Sequence, residues 1–380
     1  MRILVVPDVV DRLTAARAAD ALALGWRRGA PHDVVLPVPL GDGGPGLLVA
    51  VQASCGGRVE VVTVPGPTGE PTPATLLVLD GSEGPTIVLE AAQALGTHLL
   101  DAPRDPGTTS SRGLGVLLAA ALDLAPRRVV VGLGGCATHD AGTGLLAGLG
   151  LTAPALRRGG AALGEVTAAD LTAVAGLRER WAGTRLEVAA DVDVPLLGLH
   201  GASALLAPAL GASDAAAQEL ERGAGSLVHA LGSLLGPGAV RAAAGEHGSG
   251  AGGGLGFALA VLGGVLRPGA AVVADLVGLD ARVADADLVL TAVGSLDPHT
   301  LHDSVVATVA ARALGHGVPV VVVAREVVAG RREWSAAGVS GAYAMAERPE
   351  QVEALALADD AELVDALAAR AERVARTWSR

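Results

Sequence analysis

Residue order in this chain points to an α/β protein of two domains, one of them discontinuous. Three observations lead there. At 380 residues the chain is too long for one ordinary core. Strand and helix patterns alternate with short connections at both ends, the grammar of a parallel sheet. Between those ends, a stretch rich in Pro and Gly reads as an antiparallel meander. The expected division is residues 1–58 with 285–380 as one α/β domain, and 59–284 as an inserted α/β domain.

Each element has a local reason. "RILVVP" is a short apolar strand (2–7), and residues 13–29 carry apolar positions at helical spacing. A strand at 32–38 leads to "LGDGGPG", which opens a helix reaching about residue 55, with Pro45 suited to its first turn. Residues 58–90 hold three β-rich runs separated by Pro-Gly, Gly-Glu-Pro and Asp-Gly-Ser turn signals. A helix (113–124), a strand (128–132) and a helix (142–149) follow, then an Ala/Leu-rich helical stretch and the strand "RLEVAAD" ending at Asp191. "EHGSGAGGGLG" (246–256) is a glycine loop before an apolar helix. The parallel grammar returns with "DLVLTA", a helix at 301–315, "VPVVVVA", a helix near 330–337, and "GAYAM". The closing helix has acids first and arginines last, in keeping with the helix dipole.

Composition narrows the function. Half of the residues are apolar and only 2% aromatic, so Leu, Val and Ala must build the core. A net charge of −12 without a basic stretch argues against nucleic acid as a partner. The apolar runs are too short and too glycine-rich for a membrane span or a signal segment, so a soluble cytoplasmic protein is expected. The two cysteines, Cys55 and Cys136, lie far apart, which suits a reducing compartment. All 28 basic residues are arginine and none is lysine. GC-rich codon usage accounts for that, and it predicts that functional lysines reappear here as arginine.

A Walker loop would need a lysine, and GxGxxG does not follow the first strand, so a dinucleotide fold has little support. GxSxG, HExxH and paired CxxC motifs are absent as well. What remains is a series of acids at strand ends beside glycine turns: Asp8, Asp42-Gly43-Gly44, Glu90, Asp140, Asp191 and Asp297. Strand carboxyl ends are where open α/β sheets bind ligands. Any one of these acids alone is a turn or cap residue; together they suit a polyhydroxy or metal–phosphate ligand.

"PLGDGGPG", "IVLEAAQALG", "GLGGCATHDAG", "AADVDVPLLGLHGASALLAPALGA", "GAGGGLG" and "TAVGSLDPHTLH" resemble, in order and spacing, the glycerate kinase family typical of bacteria. The resemblance covers nearly the whole chain. It implies a flavodoxin-like parallel-sheet domain interrupted by a domain resembling the restriction-endonuclease fold. It also implies phosphorylation of D-glycerate by ATP with Mg²⁺ to (2-)phosphoglycerate; a homodimer stays open.

The family's site residues carry over by position. Asp191 and Asp297 become candidate catalytic residues, with Arg12 in place of an early lysine. Asp8, Asp42, Gly43, Gly44, Glu90, Ser203, Thr300 and His302 would contact substrate. Gly134, Gly135, Thr138, Gly252, Gly253 and Gly254 would approach phosphate through backbone N–H groups. Asp191 and Asp140 are the expected Mg²⁺ ligands, and Gly201 and Leu301 complete their motifs.

Departures from the family pattern fall on its charged residues. Val9-Val10-Asp11-Arg12-Leu13 stands for Ser-Phe-Lys-Gly-Ser, one residue short, and Ala209-Leu210 for Gln-Lys. Val293 replaces Glu, Ser295 replaces Arg, His299 replaces Gln, Ser304 replaces Lys, and Val116 replaces Glu. Codon drift does not turn lysine into Asp, Leu or Ser. Phosphoryl transfer relies on cations to neutralise oxygens, and losing one such donor costs about 3–4 kcal/mol. The rival expectation is therefore an impaired homologue that binds a small acid or nucleotide as a regulatory or partner protein, or an enzyme of altered substrate. His139, His200, His299 and His302, with Asp140, Asp191 and Asp297, raise a transition-metal site as a further alternative to simple Asn-to-His drift.

Overall fold

The computed structural model describes residues 1–101, 105–302 and 304–379. Among them eleven strands follow one another: β1 (Arg2–Val5), β2 (Val34–Pro37), β3 (Arg58–Pro65), β4 (Pro71–Leu79), β5 (Thr86–Glu90), β6 (Arg128–Gly132), β7 (Arg185–Ala190), β8 (Val265–Pro268), β9 (Leu288–Leu296), β10 (Val320–Val327) and β11 (Gly341–Ala344). They form two sheets and the chain forms two compact units, so the fold is mixed α/β with two largely parallel sheets.

Unit one comprises Met1–Asp42, Val49–Gly56 and the chain from Ala270 onward. Its sheet is wholly parallel, ordered β11-β10-β9-β1-β2. Relabelled by order of appearance that is 2-1-3-4-5, the flavodoxin-like arrangement, with its reversal between β1 and β9. Parallel strands are covered on both faces, which is why they read as unbroken apolar runs. Val321 and Val323 pack on one side with Ile3, Val5, Leu288 and Leu290, while Val322 and Ala324 pack on the other with Val306 and Ala310.

The helix Ala15–Gly29 starts at Thr14, whose hydroxyl accepts the Arg17 N–H. It lies against the C-terminal helix Asp360–Trp378, where Arg17 pairs with Asp360. Trp26 is wholly buried at this seam and donates its Nε1–H to Asp33, which also holds the N-terminal ammonium.

The boundary of unit one reflects side-chain bonds. Cys55 donates to the Leu276 carbonyl, Arg282 donates to the Ser54 carbonyl, and Arg312 pairs with Asp275 and Asp280. These bonds draw the segment after Ala270 to this unit, ahead of the residue 285 read from the sequence.

Unit two comprises Gly43–Leu48 and Gly57–Gly269. Its sheet runs β3-β4-β5-β6-β7-β8, antiparallel as far as β5 and parallel from β5 onward. β8 was not apparent from the sequence, because four residues among glycines carry no periodicity. The helix after the 43–46 turn begins at Leu47, so Pro45 lies in the turn before it, not in its first turn. Both cysteines are free thiols, and no helix among the described residues is long and apolar enough to cross a membrane.

Gly25 sits where the two long helices of unit one cross, and a Cβ there would run into the Ala368 carbonyl and the Ala371 methyl. In an open helix, Gly→Ala gains roughly 1 kcal/mol. Here overpacking of about 1–3 kcal/mol outweighs that gain. Gly25→Ala is expected to lower the melting temperature by several degrees; an unchanged or raised value would contradict this seating.

Candidate functional site

In unit one the candidate residues gather at the carboxyl ends of β1, β9 and β10. The β1–β9 pairing continues past the strand, with Asp8 donating its N–H to the Ala292 carbonyl at 3.0 Å. That bond presents the Asp8 side chain at the point where strand order reverses. The segment after β2 runs beside it, Leu40 donating to the Pro7 carbonyl. Burial, reinforced by the charge of Asp42, lifts the Asp8 carboxyl from 3.8 to about 7, against the pull of its bond from Val9 N–H.

A tight turn follows, closed by a bridge between Val10 and Leu13. Asp11 takes a left-handed φ of 54°, which Asp tolerates better than most residues, and its carboxylate points inward. There it pairs with Arg325 from β10. Arg12, the sequence candidate for the missing cation, is exposed in the same turn. Arg325 was missed. Its signal was an Arg-Glu pair ending an otherwise apolar strand, "VVVVARE".

Asp297 follows β9 and closes a local turn with Thr300. Thr300 donates its N–H to Asp297 Oδ1 (3.0 Å), and Asp297 N–H donates to the Thr300 hydroxyl (2.8 Å). The Thr300 carbonyl accepts from the Ser304 hydroxyl, and Ser304 caps the next helix by accepting the Ala307 N–H. The geometry therefore gives Asp297, Thr300 and Ser304 the work of shaping this turn. His299 and His302 are exposed nearby.

In unit two, close backbone packing assembles the corresponding edge. Gly43 lies over β7 with a φ of 96°, and a methyl group on it would come within 2.7 Å of the Ala189 carbonyl. Only glycine fits both conditions. Gly134 donates its N–H to the Gly43 carbonyl (3.2 Å), and its Cα edge faces Gly44. The Gly134 N–H, expected to serve a phosphate, is given to this loop in the structure.

Glu90, 6% exposed at the end of β5, accepts the N–H groups of Gly46 (3.0 Å) and Leu48 (3.2 Å). Burial raises its pKa while these amide bonds lower it. Its role is to anchor the 43–48 loop.

Asp140 is fully buried. Oδ2 accepts from Ser111 N–H, Ser111 hydroxyl and Gly144 N–H, and Oδ1 accepts from Gly142 N–H. The carboxylate expected to hold Mg²⁺ is thus engaged by the loop it folds, through three bonds to Oδ2 and one to Oδ1. Gly252, Gly253 and Gly254 all have positive φ and lie on the Thr138–Ala141 loop; Ala141 donates to the Gly253 carbonyl and Thr138 to the Gly252 carbonyl. At Gly253 and Gly254 a Cβ would strike the backbone of that loop, whereas Gly252 needs glycine for its positive φ. Gly135, also at positive φ, meets the Pro45 ring.

His139 is buried, its Nε2 3.0 Å from the Ser203 hydroxyl, and burial pushes its pKa down to about 4. It is neutral and spaces Ser203. His200 is exposed. Among the described residues no group of three or more His, Cys, Asp or Glu could hold a metal ion, so the histidine-metal alternative finds no site.

Asp191 stands directly after β7, half-buried, with Oδ2 3.2 Å from where a Cβ on Gly134 would lie. The neighbouring Cys136 thiol is pushed far up by burial and by the charges of Asp191, Asp140 and Glu90. This edge is strongly acidic.

Each sheet carries acids at its carboxyl ends, and the chain is a mixed α/β protein with two largely parallel sheets. The glycerate kinase family model matches residues 3–379. A glycerate kinase of Bacillus subtilis (strain 168) is 35% identical over 339 residues, covering 86% of this chain and 85% of that protein. The glycerate 2-kinase of Escherichia coli (strain K12) is 33% identical, with 85% of each chain covered. A crystal structure from Salmonella typhimurium LT2, described as glycerate kinase 2, superposes with a TM-score of 0.78 at 30% identity, covering 99% of this chain and 98% of its own. The chain belongs to the glycerate kinase family.

Asp8 supplies a pH test. Its folded pKa near 7 exceeds the ordinary 3.8, so its contribution to stability is greatest below pH 4 and falls as pH rises toward 7. Carboxyl NMR should place its midpoint near 7, and Asp42→Asn should lower it. Asp8→Asn should remove the corresponding slope from denaturation free energies measured between pH 4 and 8. A midpoint near 4 would contradict the burial described.

Proposed function

We propose that this protein transfers the terminal phosphoryl group of ATP to a hydroxyl of D-glycerate in the cytoplasm, giving 2-phosphoglycerate and ADP. The observation that carries this reading is the placement of Asp191. It follows a parallel strand at the carboxyl edge of a glycerate-kinase-family fold and leans over the Gly134 backbone.

A carboxylate there accepts the proton of the attacking hydroxyl as the new O–P bond forms and the bond to ADP breaks. Glu90 and Asp140 serve that step by fixing the loops around it, the 43–48 segment and the 140–144 turn.

Mg²⁺ binds such sites through one or two protein carboxylates together with substrate phosphates, rather than through an all-protein cage. Half-buried Asp191, with no three-ligand cluster among the described residues, fits an ion that arrives on the nucleotide. When bound, it neutralises phosphate oxygens.

Purified protein supplied with ATP, Mg²⁺ and D-glycerate is expected to form phosphoglycerate. Asp191→Asn should reduce kcat by roughly 10²–10⁴-fold with little change in KM. A wild-type protein that consumes no glycerate, or a variant that keeps the wild-type rate, would overturn the assignment.

A further inference from the structure

The cation that the family motifs lead one to miss stands on β10. In register, Ala324 pairs with Val293 and Glu326 with Ser295, so Arg325 lies beside Gly294 of β9. Its guanidinium reaches past Gly294 to Asp11 in the turn after β1. The missing side chain at Gly294 opens that path, since a Cβ there would lie 2.9 Å from Asp11 Oδ1. Arg325 thus spans the carboxyl end of β9 at the reversal of strand order, where open α/β sheets take their ligands.

The bonding around the guanidinium is uneven. Nη1 belongs to Asp11, and the side chains of both residues are only 16% exposed. Nη2 donates to Glu326 Oε1 at 2.9 Å, and Glu326 is more open, at 31%. Nε is buried without a hydrogen-bond partner. Nε and Nη2 form the side of the guanidinium that grips a carboxylate or phosphate through two parallel bonds. Glu326 covers that side with a single bond.

We propose that Arg325 is the anion-binding residue of unit one. Asp11 holds the guanidinium in place, and Glu326 is a stand-in carboxylate that the ligand displaces. The ligand is an oxyanion presenting two oxygens, the carboxylate of the hydroxy acid or a phosphate. This inference rests on the kinase reading and deepens it, because Arg325 supplies at this edge positive charge that Asp11 and Ser295 do not.

Calorimetric titrations of the full chain with D-glycerate, and separately with inorganic phosphate, test it in the wild type, Arg325→Gln, Arg325→Lys and Glu326→Gln. Arg325→Gln should weaken one of the two ligands by roughly ten- to a hundredfold, with partial recovery in Arg325→Lys. Glu326→Gln should tighten the same ligand several-fold, by uncovering the guanidinium. A shift for D-glycerate identifies a carboxylate site, and a shift for phosphate identifies a phosphoryl site.

A purely structural ion pair would lower the melting temperature in Arg325→Gln and Glu326→Gln and leave the affinities for both ligands unchanged, which would overturn the proposal. Weakened binding in Glu326→Gln, or a wild type that binds neither ligand, would overturn it too. Glycerate turnover with unshifted affinity in Arg325→Gln would remove this proposal and keep the kinase reading. The expected shifts in a chain that turns over no glycerate would do the reverse.

Discussion

Two buried carboxylates that accept backbone N–H groups, Glu90 at the end of β5 and Asp140 in the loop after β6, hold the loops of the candidate site in unit two. Glu90 accepts two amides from the 43–48 loop, and Asp140 accepts those of Ser111, Gly142 and Gly144. A charged acceptor makes such bonds shorter and stronger than neutral ones, so a few of them fix a loop that carries little apolar surface. They also offset part of the cost of burying a carboxylate, which shows in the upward push on both groups. This suits a lysine-free chain, because amides can do the work of counter-ions without adding positive charge.

The same economy leaves both carboxyl edges acidic. Burial and the nearby charge of Asp42 hold the Asp8 carboxyl up in unit one, and Glu90, Asp140 and Asp191 crowd Cys136 in unit two. A phosphoryl donor at an acidic edge needs positive charge from an arginine or from an ion carried by the nucleotide. Arg325 is the arginine best placed for this in unit one: it is tethered rather than exposed, and it sits at the topological switch.

Much of this was legible in the residues. Continuous apolar runs marked the parallel strands because both faces of each are covered, and Pro-Gly signals marked the meander because antiparallel strands need tight turns. The acids at strand ends were visible: Asp8, Glu90, Asp191 and Asp297 lie at the carboxyl ends of β1, β5, β7 and β9. Their individual tasks were not. A family motif gives residue type and order, but whether Asp140 faces a metal or its own loop depends on which amides surround it.

The glycines posed the same difficulty. Those at 252–254 read as a phosphate cradle through their N–H groups, and two of their carbonyls, at Gly252 and Gly253, also accept from the Thr138–Ala141 loop. Arg325 escaped notice because its significance lies in strand register. Only the pairing of β9 with β10 sets it beside Gly294 and within reach of Asp11, residues separated from it by 31 and 314 positions.

Hydrogen exchange of the Gly46 and Leu48 amides tests most directly whether a buried carboxylate sets this edge. Glu90→Leu keeps the bulk of the side chain and removes the acceptor. The account predicts that these two amides lose roughly tenfold or more of their protection, while those of Val130 and Val322 in the sheet interiors keep theirs. Unchanged protection at Gly46 and Leu48 would contradict it.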